Sequence, residues 1–211
     1  MSTWAIVVAA GSGSRFGGPK QYEPLAGRRV LDWSVRAAAD ACDGVVLVVP
    51  DERRYDPEPA ATVVVPGGDT RSASVRCGLA AVPPHADVIV VHDAARPLAT
   101  AALFNAAIDA VHAGADGAVC AVSVTDTIKR VADGRVAETL DRRRLVSVQT
   151  PQAFNAAVLR QAHAGSEDAT DDAALVEAAG GRVIVVPGDP YNFKVTNPDD
   201  IVVAAALLER R

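Results

Sequence analysis

Three stretches of this chain have the residue types and spacing to handle phosphate. The first is Ala9-Ala10-Gly11-Ser12-Gly13-Ser14-Arg15-Phe16-Gly17-Gly18-Pro19-Lys20. Its glycines and small serines let backbone N–H groups approach an anion closely, and Arg15 and Lys20 bring two cations to the same turn. A polyphosphate is the ligand such a turn suits. It is not a Walker A loop, because Pro19 separates Gly18 from Lys20 and Gln21 follows. The dinucleotide fingerprint fails too, since Phe16 stands where the third glycine is needed and Gly17 comes one place late. The second stretch, Gly67-Gly68-Asp69-Thr70-Arg71-Ser72-Ala73-Ser74, offers another backbone cradle; a plain turn with Asp or Ser capping the next helix is the alternative reading. The third is His92-Asp93-Ala94-Ala95-Arg96-Pro97. An Asp and an Arg before a proline turn cannot both be buried cheaply unless they pair or meet a ligand. Lys194, further on, would by its type be solvated.

Each of these stretches leaves an apolar strand. Trp4 to Val8 precedes the glycine loop, Thr62 to Val65 the Gly-Gly turn, and Asp87 to Val91 the Asp93 turn. Helical spacing of apolar residues is expected over Val30 to Cys42, stopped by Gly44, then from Val75 through Val82, and over Ala101 to His112. Val45 to Val49 is apolar throughout, which implies cover on both faces. Gly117 to Val122 and Val183 to Val186 are further strands, and Asn155 to His163 and Asp171 to Ala179 short helices around Glu167-Asp168-Ala169-Thr170. Tyr191 to Thr196 reads as a short strand carrying Lys194. Asn197 as N-cap and Pro198 open a last helix that ends in Arg210 and Arg211. The alternation predicts an α/β fold, a doubly wound, mostly parallel sheet flanked by helices. Between Gly117 to Val122 and the later helices the pattern changes. Thr127 to Val131 and Arg135 to Leu140 flank Asp133-Gly134, a hairpin signal, so about residues 126–148 are expected to project as an arm. An arm with apolar alternation and no core of its own needs a partner, and a homodimer supplies one.

With 211 residues the chain suits one domain, residues 1–211. A hydrophobic share of 49% without any run long enough to span a bilayer indicates no membrane role. The net charge of -5 and sparse aromatics disfavour nucleic-acid binding. Cys42, Cys77 and Cys120 are widely separated, which argues against a disulfide framework or zinc site. Met1-Ser2-Thr3-Trp4 runs straight into a strand, and a cytoplasmic protein is expected.

The order A-A-G-x-G-x-R followed by P-K-Q-Y, with H-D-A-A-R-P and N-x-K-V-T, resembles the 2-C-methyl-D-erythritol 4-phosphate cytidylyltransferase family over nearly the whole chain. The resemblance implies a nucleotidyltransferase-like fold and transfer of a cytidylyl group from CTP to a polyol phosphate, with pyrophosphate leaving and Mg2+ as cofactor. Ribitol-phosphate cytidylyltransferases, which share the loop and the Asp-Arg turn, or another sugar-phosphate nucleotidyltransferase stand as the alternative; a non-catalytic nucleotide-binding dimer is a more distant one. Catalytic roles are implied for Arg15, Lys20, Arg142 and Lys194, with Arg143 and Arg144 as alternatives to Arg142. Nucleotide contacts fall on Ala9, Ala10, Gly11, Gly13, Gly67, Gly68, Arg71, Ser74 and Asp93. Substrate contacts fall on Asp93, Ala94, Arg96, Thr127, Thr150 and Thr170, and Asp93 would be the metal ligand. Thr127, Arg142, Thr150 and Thr170 would reach from the arm region of one subunit into the pocket of the other.

Overall fold

A computed structural model describes residues 1–165 and 168–210. The chain runs β1 (Thr3–Val8), β2 (Pro24–Leu25), β3 (Arg28–Arg29), α1 (Val30–Ala39), β4 (Gly44–Val49), β5 (Val63–Pro66), α2 (Arg71–Ala81), β6 (Val88–Asp93) and α3 (Ala101–His112). It continues with β7 (Gly117–Ser123), β8 (Lys129–Ala132), β9 (Arg135–Thr139), β10 (Val146–Asn155), α4 (Ala156–Ala162), α5 (Asp172–Ala178), β11 (Val183–Pro187) and α6 (Asp199–Leu208). Seven strands form one sheet in the order β11-β7-β10-β6-β1-β4-β5. All neighbours are parallel except β10, which is antiparallel to both β6 and β7.

The all-apolar strands are explained by cover on both faces. Ala5, Val7, Leu47 and Val90 pack under α1 and α3, whereas Ile6, Val46, Val48 and Val91 pack under α2, α4 and α5. Strand order reverses at β1: β4 and β5 lie to one side and β6 to the other. The loops after β1 and β6 therefore part and leave a crevice at the carboxyl ends of these strands, where open α/β sheets bind ligands.

The doubly wound, mostly parallel sheet and the hairpin are as expected; several details differ. The antiparallel β10 was not foreseen, because its sequence, VSVQTPQAFN, alternates apolar and polar residues and is broken by Thr150-Pro151. Val146 to Val148 pair with Ala121 to Ser123, so the arm ends before Val146 and does not extend to Val148. Helix α1 ends at Ala39, short of Cys42, and Gly44 begins β4. A Cβ on Gly44 would meet the Trp4 ring at 2.6 Å, so this glycine serves packing and stops no helix. Tyr191 to Thr196 form no strand. At α6 it is the Asp200 carboxylate, not Asn197, that accepts the amides of Thr196 and Asn197, at 2.6 and 2.8 Å, and Pro198 occupies the N-cap. The helix ends at Leu208, before Arg210. Glu167 and Arg211 lie outside the described residues.

Within the hairpin, Asp133 and Gly134 have φ of 50° and 74°, the left-handed pair that a two-residue turn requires. Val131 faces Val136 across the ladder, and both are exposed, 59% and 62%.

Candidate active site

A cavity of about 440 Å³ opens at the β1–β6 crevice. Its walls come from the glycine loop after β1, the turn that opens α2, the turn after β6, and Lys194. The loop is wound tightly on one carbonyl: the oxygen of Gly13 accepts the amides of Phe16, Gly17 and Gly18 at 2.8, 3.1 and 3.3 Å. Gly13 has φ of +67°, and a Cβ there would lie 1.8 Å from the Gly18 oxygen, so only glycine fits. Gln21, almost fully buried, donates through Nε2 to the carbonyls of Ala9 and Gly11 at 2.7 and 3.0 Å. With these carbonyls turned to Gln21, the loop's amide face is left for a ligand. Among the described residues nothing accepts from the amides of Gly11, Ser12 or Gly13.

Asp93 sits at the end of β6 as the hub of the site. Lys194 Nζ lies 2.7 Å from its Oδ2, and Arg71 Nε lies 3.4 Å from its Oδ1. Burial alone would raise the Asp93 carboxyl, but Lys194 and then Arg71 hold it well below the usual carboxylate range. The expected alternative, an Asp93–Arg96 pair, does not form. Arg96 instead donates from Nη1 to the carbonyl of Asn192 at 2.8 Å, with burial depressing its basicity, and it does not line the cavity. It is a strut for the loop that carries Lys194. Asn192 continues that strut by donating to the Thr150 carbonyl at 2.9 Å, and Val195 N bonds to the Ala95 carbonyl at 2.8 Å.

Thr150 is buried inside its own chain and cannot reach a neighbouring pocket. Its hydroxyl oxygen accepts the Asp93 amide at 3.0 Å and stands 3.0 Å from His92 Nδ1. The hydroxyl thus links the backbone of Asp93 to the ring of His92. Burial pulls the His92 imidazole down to about 3.

Lys20 and Arg15 face Asp93 and Lys194 across the cavity. Burial, followed by the positive charges of Lys194 and Arg15, lowers the Lys20 ammonium from its ordinary value. Three cations thus feel one another around a space lined by uncommitted amides, which is a site for a multiply charged anion.

On the α2 side, Thr70 caps the helix, accepting the Ala73 amide, in place of the Asp or Ser that the sequence suggests. The Ser74 hydroxyl closes the turn on both the amide and the carbonyl of Gly68 at 3.2 Å. Gly67 lies behind the wall: a Cβ there would come within 2.4 Å of the Ala10 Cβ, so this glycine lets the two cradles touch. Ala9, Ala10, Gly11, Gly13, Gly68, Arg71, Ser74, Ala94 and Lys194 all line the cavity with Arg15, Lys20 and Asp93.

Thr127 and Arg142 stand on the exposed arm, away from this cavity; Arg142 Nη1 is turned onto the carbonyl of Thr125, and Arg143 pairs with Asp141. Thr170 is not on the arm. It is exposed beside α2, where Thr70 donates to Asp168 at 2.6 Å and Ala169 N donates to the Ser72 hydroxyl at 3.3 Å. Gln21, Thr150's role as a clamp, and Asn192 were missed in the sequence, because amides and hydroxyls that brace a site leave no signal in spacing. Only the position of Gln21 directly after Lys20 pointed to it.

Among the described residues no three His, Cys, Asp or Glu side chains gather to hold a metal. Asp93 and Asp69 are the cavity's carboxylates. One ionised carboxylate suits an Mg2+ ion that takes its other ligands from phosphate and water, so the residues fit.

The family model for IspD, 2-C-methyl-D-erythritol 4-phosphate cytidylyltransferase, matches residues 3–210. A bifunctional IspD/IspF enzyme of Anaeromyxobacter dehalogenans is 50% identical over 97% of this chain, which spans only 56% of that relative's length. The 2-C-methyl-D-erythritol 4-phosphate cytidylyltransferase of Streptomyces coelicolor is 45% identical, covering 99% of this chain and 86% of its own. Among solved structures, the 2-C-methyl-D-erythritol 4-phosphate cytidylyltransferase from Thermus thermophilus superposes with a TM-score of 0.84 at 33% identity, over 97% of this chain and 98% of the other.

Proposed function

This chain belongs to the 2-C-methyl-D-erythritol 4-phosphate cytidylyltransferase family, and on that premise we propose that its cavity joins CTP to 2-C-methyl-D-erythritol 4-phosphate with release of pyrophosphate. The observation that carries the reading is the convergence of Arg15, Lys20 and Lys194 on one cavity with the free amides of the glycine loop.

The reaction brings together two anions that repel each other. A phosphate monoester has its second pKa near ~6, so the attacking oxygen is already charged and needs no general base. The protein fits this requirement, since among the described residues no histidine lines the cavity. The loop amides would hold the triphosphate, while Arg15 and Lys20 neutralise charge that grows on the phosphoryl and leaving oxygens. Lys194, fixed against Asp93 at 2.7 Å, would draw in the acceptor phosphate. A divalent cation belongs with this chemistry, and Mg2+ held by Asp93 would supply further neutralisation of the triphosphate.

The arm supports a homodimer with shared sites. The Val131–Val136 pair is apolar and exposed, and a two-stranded hairpin is marginal without cover. A second copy related by a two-fold axis would bury this pair and carry Arg142 and Thr127 towards the neighbour's cavity. One domain and a cytoplasmic location complete the reading. No described helix is long and apolar enough to cross a membrane.

Pyrophosphate release, measured with Mg2+ and each nucleoside triphosphate against methylerythritol phosphate and ribitol phosphate, tests the assignment. Turnover is expected with CTP and methylerythritol phosphate. Turnover with ribitol phosphate alone would move the acceptor assignment, and none with either would remove the catalytic reading.

A further inference from the structure

Behind the cavity wall lies a buried Asp–His pair that the reaction described above does not use. Asp172, the first residue of α5, is fully buried, as is His163, at 5% exposure, just after α4. His163 Nε2 lies 3.0 Å from Asp172 Oδ1, and Arg71 Nη1 lies 2.8 Å from Asp172 Oδ2. A carboxylate only accepts, so His163 donates from Nε2. Arg71 therefore sits between two carboxylates, and the closer one is Asp172, not the Asp93 at the cavity floor, 3.4 Å from Nε.

Burying an Asp–His pair is a weak route to stability, because desolvation offsets most of the attraction. Its effect on Arg71 is specific. The guanidinium is a rigid fork, and fixing one nitrogen on Asp172 sets the direction of the others. Without that anchor Arg71 is free to close the 3.4 Å gap to Asp93 and compete with Lys194 for the same carboxylate. We propose that Asp172, braced by His163, is a positioning residue that holds Arg71 in its nucleotide-binding orientation. The inference rests on the reading of the cavity as a CTP site.

A double-mutant cycle tests it, with CTP binding measured by calorimetry beside kcat and KM. Asp172→Asn is expected to weaken CTP binding about tenfold, the low end for one close charge pair, while kcat stays within about twofold. In an Arg71→Ala background the same substitution should add nothing. His163→Gln, whose amide can still donate to Asp172, should retain wild-type affinity, and His163→Leu should lose as much as Asp172→Asn; this second pair decides the matter if Asp172→Asn does not fold. Equal weakening with and without Arg71, or none at all, would overturn the proposal and leave the CTP site standing. A wild-type protein that binds no CTP would overturn both.

Discussion

His92 offers a test in which sign and size both follow from the structure. Its ring is fully buried, packs 5.0 Å from the Phe104 ring, and has the Thr150 hydroxyl 3.0 Å from Nδ1. Burial holds its pKa at about 3, against about 6.5 in an unfolded chain. Between these values the unfolded chain binds a proton that the native protein refuses. The stability linked to His92 is therefore complete above about pH 6.5 and is lost as pH falls towards 3. Going from about pH 7.5 to about pH 5, the unfolded state gains roughly thirtyfold in weight from this one site, or about 2 kcal/mol. Asp93, whose carboxyl is held low, contributes acid sensitivity only below about pH 4, outside this window. Urea unfolding of the wild type and His92→Gln at the two pH values, without nucleotide or added metal, measures the difference. The wild type should lose about 2 kcal/mol more than the variant on acidification. Equal losses in the two proteins would refute the neutral buried imidazole.

Two further outcomes are expected. Lys20 has a lowered pKa, so its charge, and the CTP affinity that depends on it, should be present at neutral pH and fall as pH rises through that lowered value. Lys20→Arg should keep its affinity to higher pH, and Lys20→Ala should lose about a hundredfold in kcat; an unchanged alkaline limb in Lys20→Arg would show that another group is responsible. Mixing inactive Lys20→Ala and Arg142→Ala proteins under subunit exchange should restore about a quarter of wild-type activity, since half the dimers would be mixed and each would keep one intact site. No recovery despite confirmed exchange would place the whole site within one chain.

Much of this architecture could be read from the chain because the signals were local. Continuous apolar runs announced buried strands, and Asp133-Gly134 announced its turn. Charged residues in the loops and turns after the strands marked the cavity: Arg15, Lys20, Asp93 and Lys194 converge although they come from opposite ends and the middle of the chain. What stayed hidden depended on long-range partners. Strand β10 owes its place to pairing with β6 and β7 and not to its own pattern. Arg96 sits outside the cavity lining with Nη1 on the carbonyl of Asn192, a placement that spacing alone does not give. The same holds for the hydroxyl of Thr150.

The ends of the arm lie side by side. Ser123 at the close of β7 pairs directly with Val146 at the start of β10, so residues 124–145 leave the sheet and return through one pair of hydrogen-bonded neighbours. Closing a loop across ends already held together grows dearer only slowly with length, by about 0.6 kcal/mol for each doubling. The segment is thus a cassette: its length can change while the seven-stranded sheet keeps its register. With Arg142 and Thr127 on that segment, the proposed pairing of subunits and the proposed shared site would change together.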